Sequence, residues 1–241
     1  MEVMLYATPV LMAGLAALCL VGSTALAGPE WEEPTGDAGN TLGTAISVGT
    51  ATGGPISIIK GKLEGNGVGG GFVAGDFQDM FRIYIENPAD FMIETTWSDS
   101  GLPDPMLFLF DREGVGIAAS NNFGDGLQSR LDTNDADMPL QLEAGIYYLA
   151  ITSAMSEALG SYGGETGSMF GMTDPDRLYG QWGPIEYFSQ SPLAGWTDAT
   201  DTANYGEYEM LVHGVGSIPA PGVLSMLGFG AVGLRRRRRQ G

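Results

Sequence analysis

The chain has 241 residues and a formal net charge of −18 at neutral pH, with 38 glycines, one histidine and one cysteine. So acidic a surface excludes nucleic acid as a partner, because that affinity rests on neutralising phosphates. One histidine and one cysteine argue against a zinc ligand set and against a supported nucleophile–base pair.

Residues 1–27 read as a signal peptide. An apolar run over 11–26 ends in Ala25-Leu26-Ala27 before Gly28, and the small residues Ala25 and Ala27 match a signal-peptidase site. Glu2 stands where such leaders carry basic residues. Cys19 lies inside the run behind Leu18, where a lipid-attachment box wants a small residue, so lipidation is not expected. The mature chain then has no cysteine, and a hydrophobic core or bound ions must hold the exported domain together.

The stretch 28–217 is long enough for one sizeable domain. It carries six basic residues against 28 acids, a formal balance of −22, which suits solubility and cation binding. Abundant glycine and recurring turns point to an all-β domain of many short strands. An extended segment over 28–55 precedes it. Strand candidates follow at 56–63 and 79–85, where Phe81, Ile83 and Ile85 share one face. A turn at Asn87-Pro88-Ala89-Asp90 leads into a partner strand over 91–97. The run 105–111 is apolar on both faces and reads as a central buried strand, with Leu107 and Leu109 in the core. Strands are expected at 115–119 and 127–131, then a hairpin of 138–142 with 146–152 that buries Tyr148 and Ala150. The stretch 153–204 is poorly patterned and rich in glycine and aromatics. A last strand spans 205–213 and leaves His213 exposed at its end.

Acids are too evenly spread for any carboxylate pair to stand out as catalytic. Calcium is the one cofactor with a physical case, since it takes six to eight hard oxygen ligands. Asn121, Asn122, Asp125, Asp132, Asn134, Asp135 and Asp137 supply such oxygens within a short stretch, and Asp76 with Asp79 forms a second, smaller group. The same residue types also build tight turns. Tyr179, Trp182 and Trp196 could form a carbohydrate platform on the 153–204 segment, against the alternative that its rings pack a long loop onto the sheets.

At the far end, Pro219-Ala220-Pro221 precedes an uncharged apolar stretch over 222–234 and then Arg235, Arg236, Arg237, Arg238 and Arg239. The run from 218 to 234 reaches the short limit for a membrane span, and a basic block resists translocation. The three-part order over 217–241 resembles the PEP-CTERM sorting tail of bacterial envelope proteins, with alanine in place of the central glutamate. That resemblance implies processing by an exosortase-like membrane protease. A second resemblance covers roughly 56–153 and 205–214. Asp79-Met80-Phe81, the run from Asp104 to Asp111 with Gly114, Ala144-Gly145-Ile146-Tyr147 and Tyr205-x-x-Tyr208 look like the bacterial pre-peptidase C-terminal domain. It implies a jelly-roll-like β-sandwich over 56–216, with 153–204 inserted, and at times bound calcium.

The expectation is therefore an all-β, jelly-roll-like β-sandwich flanked by a signal helix and a C-terminal transmembrane helix. Such a protein is exported to the cell envelope or surface and serves as a non-enzymatic structural or adhesive module. Its partners are signal peptidase, the processing protease and the membrane. The alternative is binding of extracellular polysaccharide through the 153–204 aromatics.

Overall fold

The computed structural model describes residues 29–34, 37–50, 53–65, 75–96, 101–124, 126–154, 156–172, 179–197 and 204–218. Residues 1–27, where a signal peptide is expected, the stretch with Pro219, Pro221 and Arg235 to Arg239, and Asp125 lie outside them. The described chain is all-β. Its strands are β1 (Glu30–Glu32), β2 (Ile46–Ser47), β3 (Ile58–Leu63), β4 (Gln78–Ile85), β5 (Met92–Thr95), β6 (Pro105–Phe110), β7 (Gly116–Asn121), β8 (Arg130–Asp132), β9 (Gly145–Ser153), β10 (Ala158–Tyr162), β11 (Glu165–Ser168), β12 (Gly180–Trp182), β13 (Gly195–Trp196), β14 (Gly206–His213) and β15 (Val215–Gly216). A 3-10 turn over Pro88–Asp90 links β4 to β5. Among the described residues no helix is long and apolar enough to cross a membrane.

The strands form three sheets. A front sheet runs β1-β3-β14-β5-β8, a middle sheet β12-β7-β6-β9-β4-β15 with β2 also on β4, and a back sheet β11-β10-β13. Strand β6 explains the layering. All six of its residues are buried, and alternate side chains enter different cores. Leu107 and Leu109 meet Phe81, Ile83, Ile59, Ile93 and Met210 between the front and middle sheets, a β-sandwich-like arrangement. Met106, Phe108 and Phe110 meet Met169, Phe170 and Trp182 in a second core under the back sheet. An all-apolar strand is stable only where both faces are covered.

The 153–204 segment supplies that second cover. It lacks long-range hydrophobic alternation because its strands are two to five residues long. The hairpin expected from 138–142 with 146–152 does not form. Strand β9 pairs with β4 on one side and β6 on the other, which leaves no free edge for 138–142. Met138 and Leu142 still pack on the front core, from a loop. Tyr148 is half-buried rather than buried, while Ala150, Phe81, Ile83, Leu107 and Leu109 are fully enclosed.

Both ends of the domain leave from one pole. The Ser57 N–H donates to the Pro29 carbonyl at 3.4 Å, and Ile56 donates to Val215 at 2.9 Å. Ser217 in turn donates to Gly54 at 2.8 Å. The strand registers put the Gly65–Asp76 bridge, the Gly101–Glu207 bridge and the start of β6 at the other pole.

Candidate cation site

Strand β4 carries Asp79 on the same side as Phe81, Ile83 and Ile85, so its carboxyl points between the front and middle sheets. From the front sheet, Tyr208 of β14 reaches across, and its hydroxyl donates to Asp79 Oδ2 at 2.5 Å. Tyr208 pairs with Gly61 of β3. A side chain at Gly61 would collide with the Tyr208 hydroxyl and stand 2.7 Å from Glu33 Oε2. A glycine in a strand interior weakens it but admits a close approach, and here it makes room for the ring and the carboxylate.

Glu33 arrives from the edge. Strand β1 runs parallel to β3, and Glu33 continues that pairing by donating its N–H to the Lys60 carbonyl at 2.9 Å. Its Oε2 accepts the Lys62 N–H at 3.3 Å. Asp37 follows in a turn, with its Oδ1 accepting the Gly39 N–H at 2.9 Å. Asp76 is set by the two-way bridge with Gly65, a residue in the left-handed region at φ 63° that favours glycine. Asp76 Oδ2 accepts the Glu64 N–H at 2.8 Å. One ligand oxygen each from Glu33, Asp37 and Asp79 lies within 4.8 Å of the others. Glu33 and Asp37 border a cavity of about 760 Å³ whose wall also includes Asp76, Lys62 and Tyr208.

The electrostatics follow from burial among acids. Asp79 is fully enclosed, and burial pushes its carboxyl up to about 9, against the lowering effect of the Tyr208 hydrogen bond. Asp76, Glu33 and Asp37 raise it further. Burial likewise takes Asp76 up to about 6 and moves Glu33 upward. The Tyr208 hydroxyl is held well above its usual range by burial and by Asp79. The two lysines at the rim do not neutralise the buried group: Lys60 pairs with Glu30 and Glu209, and Lys62 with Glu64. Among the described residues Asp79 Oδ1 and Glu33 Oε1 have no hydrogen-bond partner. A buried polar atom without a partner costs free energy. A hard cation would satisfy both, since two oxygens on one calcium ion at 2.3–2.6 Å stand at most about 5 Å apart.

In the 121–137 stretch several oxygens close local turns, while Asn121 Oδ1 is buried with no hydrogen-bond partner among the described residues. Asn121 is buried at the end of β7, and Asn122 turns the chain at φ 52°. Asp132 pairs with Arg130 and accepts the Asn134 N–H at 2.8 Å. Asp135 Oδ1 accepts the N–H groups of Asp137 and Met138 at 3.0 and 2.9 Å, a side-chain-closed turn. Among the described residues no three acids of this stretch converge.

The aromatic set is divided as well. Trp182 is buried, with its indole donating to the Phe170 carbonyl at 3.1 Å. Trp196 packs edge-on against Phe108 and Phe110 and donates to the Asn40 carbonyl at 2.7 Å. Tyr179 alone of the three is broadly exposed, at 71%. The rings that face solvent in contact are Tyr162 and Tyr187.

Sequence reading saw Asp76 and Asp79 as a pair but not their partners. Glu33 and Asp37 sit in a segment without strand periodicity, and only the β1–β3 register brings Glu33 beside β4. Gly61→Ala should destabilise the domain by about 1–3 kcal/mol, the usual cost of overpacking. A denaturant melt measures it, and an unchanged midpoint would mean that Tyr208 has room to move. No family model matches this chain, and no curated protein matches it significantly.

Proposed function

We propose that this chain is an exported module of the cell surface or extracellular matrix, structural or adhesive and non-enzymatic, with a jelly-roll-like sandwich that calcium locks. The apolar run before Ala27 and the uncharged stretch ahead of the five arginines carry the export reading, and the shared pole of the domain's ends accommodates both extensions. Pro29 and Ser217 both lie against residues 54–57. A leader and a sorting tail attached there would leave the opposite pole, and the faces of the sandwich, free for contact. The uncharged stretch 222–234 and the five arginines after it supply the retention signal. Signal peptidase at Ala27 and an exosortase-like protease near Pro219-Ala220-Pro221 would act on the two extensions.

Glu33, Asp37 and Asp79 would hold the ion, with Asp76 beside them. The ion supplies positive charge to a domain that has no disulfide and an excess of carboxylates. The unpartnered Asp79 Oδ1 supports this placement.

Intact mass of the protein recovered from envelope fractions tests the route. The expected species begins near Gly28 and lacks Arg235 to Arg239. A species that keeps residues 1–27 in the cytoplasmic fraction would overturn export. Retained arginines on an otherwise mature chain would overturn cleavage and leave an anchored protein.

A further inference from the structure

We infer that the Tyr162–Tyr187 face of the back sheet is a stacking site for a neutral polysaccharide. Tyr162 ends β10 and is 47% exposed, and Tyr187 is 54% exposed. Their ring centroids are 4.4 Å apart at a tilt of 53°, so the two rings form one shallow, angled surface. Neither belongs to the core beneath the back sheet, which Phe170, Trp182 and Trp196 already fill.

The surface is built rather than incidental. Phe188 stands edge-on behind Tyr187 at 5.0 Å. It can do so because Gly160 and Gly167 face each other across the β10–β11 hairpin. A side chain at Gly160 would collide with the Phe188 carbonyl, and one at Gly167 with its ring. The turn that carries Tyr187 is tied down at several points. Ile185 donates to the Met169 carbonyl at 2.9 Å, and the Ser189 hydroxyl donates to Ile185. The Gln190 side chain donates to Glu186 at 2.9 Å, and Ser161 donates to Ser191 Oγ at 2.9 Å. Rings fixed before a ligand arrives lose little conformational entropy on binding.

Chemistry selects the occupant. A tyrosine offers a flat apolar face and a hydroxyl with little rotamer freedom to lose. A sugar ring offers the complement, one face of C–H groups and a rim of hydroxyls. Glu165 pairs in register with Tyr162, and Glu186 precedes Tyr187. Those carboxylates can accept hydrogen bonds from hydroxyls and would repel an anionic chain. The 153–204 segment carries seven acids against the single basic residue Arg177, so acidic polysaccharide and anionic lipid are both disfavoured. This site is separate from Asp79 and does not depend on calcium.

Affinity electrophoresis of the full chain tests it, in gels containing a soluble β-glucan, an α-glucan, a galactomannan or a xylan, with alginate as the acidic comparison. Retardation in at least one neutral gel is expected, and none in alginate. The Tyr162→Ala/Tyr187→Ala double variant should bind at least about tenfold more weakly, given what paired aromatic contacts contribute. Tyr179→Ala should bind as the parent does, and matching melting curves would show that the variants fold. No retardation in any neutral gel, or retardation that survives the double variant, overturns the proposal. Self-association that the double variant abolishes, without glycan binding, would assign the face to a second copy of the chain instead.

Discussion

Phe108→Ala should destabilise the domain by about 3–5 kcal/mol, the range for truncating an enclosed aromatic residue. Phe108 is fully buried and touches Phe110, Phe170 and Trp196, which come from the middle sheet and from the segment that covers it. Leu109→Ala, one residue on but facing the front core, should cost about 2–5 kcal/mol. Total stabilities are about 5–15 kcal/mol, so either change removes a large fraction. Urea melts followed by tryptophan fluorescence distinguish the layers, since Trp31 packs on the front core while Trp182 and Trp196 belong to the back. A loss below about 1 kcal/mol for Phe108→Ala would mean that the back sheet does not bear on the middle one. A separate, earlier transition of the back layer alone would make it an independent folding unit.

The pair of variants also marks how far the sequence could be read. The two-faced run of β6 was legible because six consecutive apolar residues leave no solvent face. What covers the second face was not. The covering residues Met169, Phe170, Trp182 and Trp196 lie on short strands and loops separated by glycines, with no period to detect. Strand β4 was visible from alternation, and the turn after it from Asn87 and Pro88. The 138–142 strand was over-read, because apolar residues in a loop that packs on a core mimic an alternating strand. The calcium reading of 121–137 rests on the density of oxygen-bearing residues there. Density is also what turns need, and Asp135 spends its oxygen on its own turn. The acids that do converge are separated by up to 46 positions, from Glu33 to Asp79. Strand register brings them together, and register is set by pairing across the whole sheet.

Calcium should stabilise the protein, and more at pH 8 than at pH 5. The sign follows from Asp79 and Asp76, whose carboxyls rise from an ordinary 3.8 to about 9 and about 6. A group raised on folding favours the folded state fully below its unfolded value, and that contribution is lost as pH climbs through the folded value. The calcium-free domain should therefore weaken as pH rises from about 4 toward 9, through Asp76 and Asp79 together up to about 6 and through Asp79 alone above it. A divalent ion reverses this by binding the ionised carboxylates, so its effect grows over the same window. At a hundredfold excess over Kd the gain is about 2.7 kcal/mol. For a domain of this size that corresponds to a rise of roughly 5–11 °C in Tm. Magnesium, with its stricter octahedral demand, should give less. Asp79→Asn should raise the calcium-free Tm at pH 8, since a neutral amide removes a buried acid from among acids, and it should abolish the calcium response. Asp135→Ala should leave the response intact. Equal shifts from the two ions would reduce the effect to screening of surface charge. A full calcium shift in Asp79→Asn would move the ion away from the Tyr208 clamp.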